Sequence, residues 1–315
     1  MSIPLICLMG PTASGKTDLA MALAERWPLS LISVDSGMVY RGMNIGTAKP
    51  DAATLLRAPH ALIDICDPAE IYSAARFVED ARVAIQTAWQ QGRWPCLVGG
   101  TMLYFRALLQ GLSDLPDADV AIRAALQHEL TTQGLEKLHQ RLAQLDPVAA
   151  ARIHPNDPQR ILRALEVQKI SGQTMTSLQQ ATPPHAWPAP ILKLALVPDD
   201  RAQLHARIAQ RFELMLQQGF IDEVIALRTR KDLYKTLPSI RAVGYRQVWN
   251  YLEGEYDRQT LQNKGIIATR QLAKRQLTWL RTEQALCIQD PLECNLHQQV
   301  ERFAAMIDTF IAKNS

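Results

Sequence analysis

A segment of eight residues near the N-terminus has the residue types and spacing that bind phosphate groups. It matches the pattern G-x4-G-K-[ST] and consists of Gly10, Pro11, Thr12, Ala13, Ser14, Gly15, Lys16 and Thr17. The glycines let the backbone curl so that successive N–H groups point at anionic oxygens, and a following helix adds the dipole of its N-terminus. Lys16 supplies a positive charge and Thr17 a hydroxyl for Mg²⁺. This segment, the phosphate loop, predicts a substrate that carries phosphates.

The phosphate loop alone does not decide which substrate is bound. A nucleoside triphosphatase usually places an aspartate at the end of a later strand for Mg²⁺, whereas the predicted strand ending at Val98 continues into Gly99, Gly100 and Thr101. An acid instead follows the second predicted strand, which Asp35 closes, and ligands bind at the carboxyl ends of strands in such sheets. A small-molecule kinase also has an acid there. Asp35 therefore leaves phosphoryl transfer and another reaction at a diphosphate both open.

The apolar pattern predicts the elements that position these groups. Helical patterns separate the apolar runs, and strands that alternate with helices imply a parallel, doubly wound sheet. One helix is expected from Thr17 toward Trp27, and another, with an apolar stripe, from near Ser73 to near Gly92. Four apolar runs in the first hundred residues predict strands: 3–9, 31–34, 61–65 and 95–99.

The middle of the chain has a different texture. Residues 113–190 contain helical patterns and turns without a convincing strand, and they end in a proline-rich stretch, 182–190. Within them, Asp157 and Pro158 form an N-cap and first-turn pair that opens a helix closing at Gly172. We therefore predict a helical insertion.

The last third of the chain returns to the core. A strand is expected at 191–197 and long helical patterns at about 201–230 and 260–281. The predicted fold is α/β, a P-loop NTPase-like parallel sheet flanked by helices. We expect its core to comprise 1–112 and 191–315, with a helical insertion domain at 113–190.

Composition excludes several classes of protein. The hydrophobic fraction of 47% is ordinary for a globular chain. The five cysteines show neither a CxxC pair nor zinc spacing, which suggests a reducing cytosol, and the seven histidines show no metal spacing and are expected to be solvated. We find neither a signal peptide nor a membrane-spanning helix, so a cytoplasmic location is expected. A monomer is expected because no coiled coil is evident.

Charge is spread unevenly along the chain. Between Arg201 and Arg281 there are fifteen Lys and Arg against seven Asp and Glu, a local net charge of +8, so the remainder of the chain carries −5. Such an asymmetry fits a polyanionic partner such as nucleic acid, although a solvated basic face would also produce it.

Five segments together resemble the tRNA dimethylallyltransferase family over essentially the whole chain. The resemblance implies transfer of a dimethylallyl group from dimethylallyl diphosphate to N6 of adenine 37, beside the anticodon, in tRNAs that read codons beginning with U. It also implies a requirement for Mg²⁺ and no hydrolysis of a nucleotide. The segments are GPTASGKT (10–17), VDSGMVYRGMNIGTAKP (34–50), GGTMLYFRALLQGL (99–112), SIRAVGYRQVW (239–249) and TRQLAKRQLTWLR (269–281).

The resemblance implies roles for individual residues. Lys16, Thr17 and the amides of the phosphate loop hold the diphosphate and Mg²⁺, and Arg211 contacts the diphosphate. Asp35 accepts the proton of the adenine amine, and Thr101 orients that amine or the leaving oxygen. Residues implied to contact the anticodon stem-loop of tRNA are Asp35, Ser36, Gly37, Met38, Thr101, Arg123, Gln159, Arg160, Ile161, Leu162, Arg163, Ile240, Arg241, Ala242, Val243, Gly244, Tyr245, Lys274, Arg275, Gln276, Leu277, Thr278, Trp279, Leu280 and Arg281. Many relatives have Gln where Met38 stands, which puts that side-chain contact in question.

Some of these residues have simpler interpretations. Asp35 also suits a helix N-cap or a turn after the strand. Trp279 lies nearly opposite the basic face of its predicted helix and suits the core better than a base-stacking platform. Arg163 can pair with Glu166 at i+3, the only acid on its predicted helix, which would leave Arg160 without a partner.

Two other functions remain open from the residues alone. One is an ATP-dependent small-molecule kinase, which the phosphate loop and Asp35 support. The other is a non-catalytic RNA-binding protein that uses the phosphate loop as a nucleotide switch. The large insertion and the C-terminal basic helices are features that a compact kinase does not require.

Overall fold

The apolar runs of the sequence form one parallel sheet. This computed structural model describes residues 3–181 and 186–314, and the described residues contain six strands: β1 Leu5–Met9, β2 Leu29–Val34, β3 His60–Ala61, β4 Trp94–Gly99, β5 Ile191–Leu196 and β6 Leu286–Gln289. They pair in the order β3-β2-β4-β1-β5-β6, and every neighbouring pair is parallel. The predicted α/β class, a P-loop NTPase-like parallel sheet flanked by helices, is confirmed.

The chain divides into two compact units. Unit 1 comprises Met1–Leu109 and Trp187–Ser315, and unit 2 comprises Gln110–Ala186. The helices of unit 1 are α1 Lys16–Arg26, α2 Ala52–Arg57, α3 Ala74–Gln90, α4 Met102–Gln110 (whose last residue belongs to unit 2), α10 Arg201–Gln217, α11 Phe220–Thr229, α12 Tyr245–Leu252, α13 Arg258–Leu280 and α14 Leu296–Asn314. Those of unit 2 are α5 Val120–Gln133, α6 Leu135–Leu145, α7 Pro147–Arg152, α8 Pro158–Ser171 and α9 Met175–Ala181. Part of the predicted proline-rich stretch, 182–185, lies outside the described residues.

The sheet of unit 1 is covered on both faces because successive strand residues point to opposite sides. On one face Leu5, Cys7 and Met9 of β1 join a cluster with Phe77 of α3. On the other face Ile6 and Leu8 join a cluster that contains side chains of α1 and α14. With both faces buried, the carboxyl ends of the strands are left to position a site.

Two sequence predictions in unit 1 are wrong in extent. The strand expected at 61–65 ends at Ala61 because Leu62 and Asp64 have φ of 65° and 57°, in the left-handed region, where a strand cannot continue. The helical pattern at 201–230 is divided into α10 and α11 at Gly219, whose φ is 95°. The other strands and α1, α3 and α13 lie within a few residues of their predicted bounds.

The regular elements of unit 2 in the described residues are all helices, and the unit has its own core. Its largest buried side chains come from α5, α6 and α8 and include Leu126, Leu142 and Ile161. The predicted caps of α8 are confirmed: the Asp157 carboxylate accepts the Arg160 N–H, and Gly172 ends the helix in the left-handed region. None of the helices in the described residues is long and apolar enough to cross a membrane.

Candidate active site

A cavity of about 340 Å³ adjoins the phosphate loop at the carboxyl ends of the central strands. Its wall is formed by the phosphate loop, the turn 35–38 after β2, the segment 241–244 before α12, and residues of α10 and α13. Four of the predicted site segments of unit 1 therefore meet at one place, together with Arg211.

The phosphate loop has the curled backbone that its glycines predict. A Cβ on Gly10 would lie 2.6 Å from the carbonyl oxygen of Leu196 in β5, so only glycine allows this approach. Ala13 and Gly15 have φ of 63° and 87°. For Ala13 this left-handed conformation costs energy, and such strain is found where a loop must present its amides to a ligand.

Lys16 and Arg211 place two cationic groups against the cavity. The Lys16 Nζ donates to the Pro11 carbonyl at 2.6 Å. Burial lowers the pKa of Lys16 to about 7; the charge of Arg211 also lowers it, whereas that of Asp35 opposes the shift. Burial lowers the pKa of Arg211 as well. A bound anion would relieve both effects, because it supplies the opposite charge that these groups lack.

Asp35 has a structural contact as well as a place in the cavity wall. Its Oδ1 accepts the N–H groups of Gly37 at 2.8 Å and Met38 at 3.2 Å, which forms the tight turn after β2. The interpretation of Asp35 as a turn acid is therefore correct for one oxygen. The hydroxyl of Thr101, which precedes α4, accepts the Ser36 N–H at 3.1 Å and so ties this turn to the end of β4.

Glu223 of α11 holds two further parts of the wall. Its carboxylate accepts the N–H groups of Asn44 and Ile45 at 2.9 and 2.7 Å and that of Gly46 at 3.2 Å. It also accepts the hydroxyl of Tyr245 at 2.6 Å, so the segments 44–46 and 240–245 share one carboxylate. Sequence analysis did not find Glu223, because nothing in its local pattern shows which backbone amides it reaches.

Apolar residues of α10 form part of the cavity wall beside Arg211. Ile208, Phe212 and Met215 line the cavity, at i, i+4 and i+7 on this helix. These three residues were not predicted to belong to the site. Their helical spacing on either side of Arg211 was the sequence signal that could have identified them. A charged pole and an apolar wall in one cavity suit a ligand with an anionic head and a hydrocarbon tail.

Several residues that the resemblance assigns to tRNA have buried side chains. Ile240, Tyr245 and Ile161 are fully buried, and Leu280 and Gln276 are 2% and 8% exposed. The first four of these side chains have no contact available to RNA in this structure, because they form the core and support the backbone of their segments. The Gln276 side chain instead borders the cavity. Trp279 is half-buried under the Arg106 guanidinium, as the core interpretation expects.

Predicted RNA-binding side chains are accessible at the cavity, where Ser36 and Arg241 are exposed, and on two other surfaces. At the C-terminal end of α13, Lys274, Arg275, Thr278 and the following Arg281 are exposed, whereas Leu277 is half-buried. On unit 2, Arg123, Gln159 and Arg160 are exposed, whereas Leu162 and Arg163 are half-buried.

Three of the arginines in unit 2 that the resemblance assigns to tRNA form ion pairs. Arg163 pairs with Glu166 at 2.9 Å, as expected, and Arg123 pairs with the same oxygen at 3.0 Å. The prediction that Arg160 has no partner is wrong, because its guanidinium lies 3.4 Å from the Asp157 carboxylate that caps α8.

Two histidines differ from the expectation of solvated side chains. His60 lines the cavity with its Nδ1 2.7 Å from the Ala58 carbonyl, and burial lowers its pKa. The Nε2 of His139 lies 3.2 and 3.1 Å from the carbonyls of Ala150 and Ile153. Neither environment could be predicted from sequence, because the carbonyl oxygens approach these rings only in the folded chain.

Thr17 is the residue that suits a magnesium ion. Mg²⁺ takes oxygen ligands and usually combines one or two protein groups with substrate phosphates and water. The Thr17 side chain lines the cavity next to Lys16, and its hydroxyl has no hydrogen-bond partner within residues 3–181 and 186–314. The site therefore fits an ion shared with a bound diphosphate.

Comparison with known proteins relates this site to a family. A family model described as IPP transferase matches residues 38–283. The tRNA dimethylallyltransferase of Alkalilimnicola ehrlichii is 60% identical over 283 residues, which are 90% of this chain and 89% of that protein. The tRNA dimethylallyltransferase of Thiobacillus denitrificans is 57% identical over 294 residues, which are 92% of this chain and 94% of that protein.

A solved structure has the same fold. The tRNA isopentenylpyrophosphate transferase of Bacillus halodurans is 34% identical, with a TM-score of 0.73, and the comparison covers 100% of this chain and 98% of that chain. The similarity therefore extends over both units.

Proposed function

The chain belongs to the IPP transferase family, with the tRNA dimethylallyltransferases as close relatives, and we propose that it transfers a dimethylallyl group from dimethylallyl diphosphate to N6 of adenine 37 in tRNA. The resemblance of its motifs implies tRNAs that read codons beginning with U. The observation that carries the proposal is the single cavity in which a phosphate loop, Arg211, an apolar wall and Asp35 meet.

The first requirement of this reaction is to stabilise the leaving group. Breaking the bond between the allylic carbon and the diphosphate oxygen produces an allylic cation and an anionic diphosphate. Lys16, Arg211 and the loop amides are donors fixed in advance around the position of that anion. Preorganised donors in a site with little water stabilise developing charge by several kcal/mol. The apolar side chains of α10 would hold the hydrocarbon part.

The second requirement is an acceptor for the adenine proton. The exocyclic amine is a poor nucleophile because its lone pair is delocalised into the ring. As the new bond between carbon and N6 forms, the amine must lose a proton, and the Asp35 carboxylate would receive it. The turn bonds to Oδ1 hold this carboxylate at the cavity wall. The adenine must also leave its stack, as in other enzymes that act on a base.

We propose that Mg²⁺ binds at Thr17 and the phosphate loop. When bound, Mg²⁺ would add positive charge at the diphosphate. The Thr17 hydroxyl would hold it beside Lys16.

The proposed partner is the anticodon stem-loop of tRNA. At the C-terminal end of α13 the exposed cations Lys274, Arg275 and Arg281 suit contacts with the RNA backbone, and on unit 2 Arg123 and Arg160 do the same. We further propose a monomer that acts in the cytoplasm, where the five free cysteines would stay reduced.

The test combines protein, unmodified tRNA, Mg²⁺ and dimethylallyl diphosphate. Digestion and mass spectrometry should find one adenosine that carries a dimethylallyl group, in the anticodon loop. A matched reaction with ATP in place of the diphosphate should leave the tRNA unchanged. ATP turnover without RNA would favour the kinase, and tight tRNA binding without transfer would favour the non-catalytic alternative.

A further inference from the structure

One buried amide joins two parts of the active site that are far apart in the sequence. Gln276 lies on α13 and is 8% exposed, although its neighbour Arg275 is exposed. Its Oε1 accepts the Thr12 N–H at 2.9 Å, and its Nε2 donates to the Gly100 carbonyl at 2.9 Å. Both ends of the side chain are therefore satisfied by backbone.

Each of these two partners belongs to a different half of the proposed reaction. Thr12 is part of the phosphate loop, on the side of the diphosphate. Gly100 precedes Thr101, whose hydroxyl accepts the N–H of Ser36, the residue next to Asp35. A path of two hydrogen bonds and one peptide thus runs from Gln276 to the turn of the proposed base.

The fit depends on an amide at 276 and a glycine at 100. A Cβ on Gly100 would lie only 2.4 Å from the Nε2 of Gln276, so a side chain there would displace it. A glutamine offers one acceptor and one donor on the same planar group, whereas an ionised glutamate only accepts and a methionine does neither well. Residue type at both positions therefore matches the connection.

We propose that Gln276 is a positioning residue that sets the separation between the phosphate loop and the Gly100–Thr101 turn, and with it the alignment of allylic carbon and adenine amine. The inference rests on the proposed function. It gives this residue a role other than the RNA contact that the resemblance implies, because Thr12 and Gly100 hold its amide at the cavity wall while Lys274 and Arg275 on the same helix are exposed.

The test compares Gln276→Met and Gln276→Glu with the wild type under single-turnover conditions. Gln276→Met keeps the length of the side chain and loses both hydrogen bonds. We expect its rate constant at saturating substrates to fall by at least about tenfold, since small misplacements of reacting groups cost up to about 10²-fold. Its dissociation constant for tRNA should stay within about threefold, because the exposed cations of α13 are unchanged. Gln271→Met, at an exposed position of the same helix, is the matched control and should behave as wild type.

A pH profile separates positioning from a general structural role. A protonated glutamate has a hydroxyl donor and a carbonyl acceptor, so it can reproduce both bonds of the glutamine. Burial favours the protonated form. The rate of Gln276→Glu relative to wild type should therefore rise as the pH is lowered from about 8 to about 6, as the buried glutamate gains its proton. The same ratio for Gln276→Met should stay constant.

Distinct results overturn the inference. Wild-type rates in Gln276→Met would do so, and so would a loss confined to tRNA affinity, which would mean an RNA contact. If Gln276→Met is unstable, a Gln276→Glu variant that folds but gains no relative activity at low pH overturns it as well. If the wild type transfers the group and the Gln276 variants have the same rate constant as the wild type, only this inference fails. If neither the wild type nor Gln271→Met transfers the group, the proposed function fails as well.

Discussion

Asp35 uses its two oxygens differently. Oδ1 accepts the backbone N–H groups of Gly37 and Met38, so both donors of the turn bind the same carboxylate oxygen. An asparagine keeps a carbonyl oxygen for those two bonds but cannot take up a proton. Substitution by asparagine therefore separates the structural contact from the proposed chemistry, which substitution by alanine does not.

We expect Asp35→Asn to lower the single-turnover rate constant by about 10²-fold or more, because a general base usually contributes that much. The affinity for tRNA should change little. A single-turnover assay measures the rate constant, and filter binding measures the affinity. Asp35→Ala, which also loses the turn, should in addition lower the melting temperature. A fall of less than about tenfold in Asp35→Asn would contradict the role as base.

Lys16 should take up a proton when dimethylallyl diphosphate binds. Its pKa in the free protein is lowered to about 7, first by burial and then by Arg211. A bound diphosphate favours the charged form and raises this pKa again, so binding at about pH 8 should take up a proton, and less near pH 6 where Lys16 is already charged. Calorimetry of donor binding in two buffers of different ionisation enthalpy measures the uptake. Lys16→Met should lack it; equal uptake in that variant would refute the assignment.

At the scale of elements, the strands and the long helices could be predicted because their patterns are local. Short apolar runs predicted β1, β2, β4 and β5, and an N-cap aspartate with a closing glycine predicted α8. The strand β3 was overextended because Leu62 is apolar yet has a left-handed backbone, which composition does not reveal.

Two elements at the end of the chain were not predicted. α14 carries Val300, Phe303, Ala304 and Ile307 at helical spacing, a signal that was available, and these side chains cover one face of the sheet. β6 has only four residues and a single buried one, so its pattern is too short to recognise.

The candidate site could be predicted in part for the same reason. The phosphate loop and Asp35 are fixed by motif and by position at a strand end. Contacts such as those of Gln276 and Glu223 join residues more than a hundred positions apart, and no local pattern encodes them. The segments that the resemblance assigns to tRNA contain buried residues such as Ile240. A continuous segment includes side chains that face the ligand and side chains that pack into the core.

The hydrogen bonds of Glu223 to the segments 44–46 and 240–245 should contribute to the free energy of unfolding. It accepts four hydrogen bonds from the segments 44–46 and 240–245, and Glu223→Gln would place an amide NH₂ against N–H donors. We expect a loss of about 2 kcal/mol in the free energy of unfolding, since hydrogen bonds to charged groups are worth about 1.5–3 kcal/mol. Denaturant unfolding measures it.

The adjacent Asp222 is the control for this substitution. It is exposed in the first turn of α11, so Asp222→Asn should cost only a few tenths of a kcal/mol or up to about 1 kcal/mol through the helix dipole. Equal losses in the two variants would mean that the carboxylate of Glu223 has no special part in holding the wall.

At the scale of the whole molecule, the two substrates meet different electrostatic environments. The diphosphate site uses Lys16 and Arg211, which are partly buried, and salt screens buried charges weakly. The cations proposed for RNA lie exposed on α13 within a stretch of net charge +8. Ionic strength should therefore separate the two binding events.

We expect tRNA affinity to fall steeply with salt, with donor affinity far less affected. The slope of log Kd for tRNA against log salt concentration should decrease by about 1 in Lys274→Ala and again in Arg275→Ala, because each removes one phosphate contact. Fluorescence titration of tRNA at several salt concentrations measures it. Arg82→Ala, an exposed arginine on α3 outside the proposed RNA surface, is the control and should leave the slope unchanged. If the α13 variants behave like Arg82→Ala, the local charge of +8 is only a solvated face, and the RNA must be held by other residues.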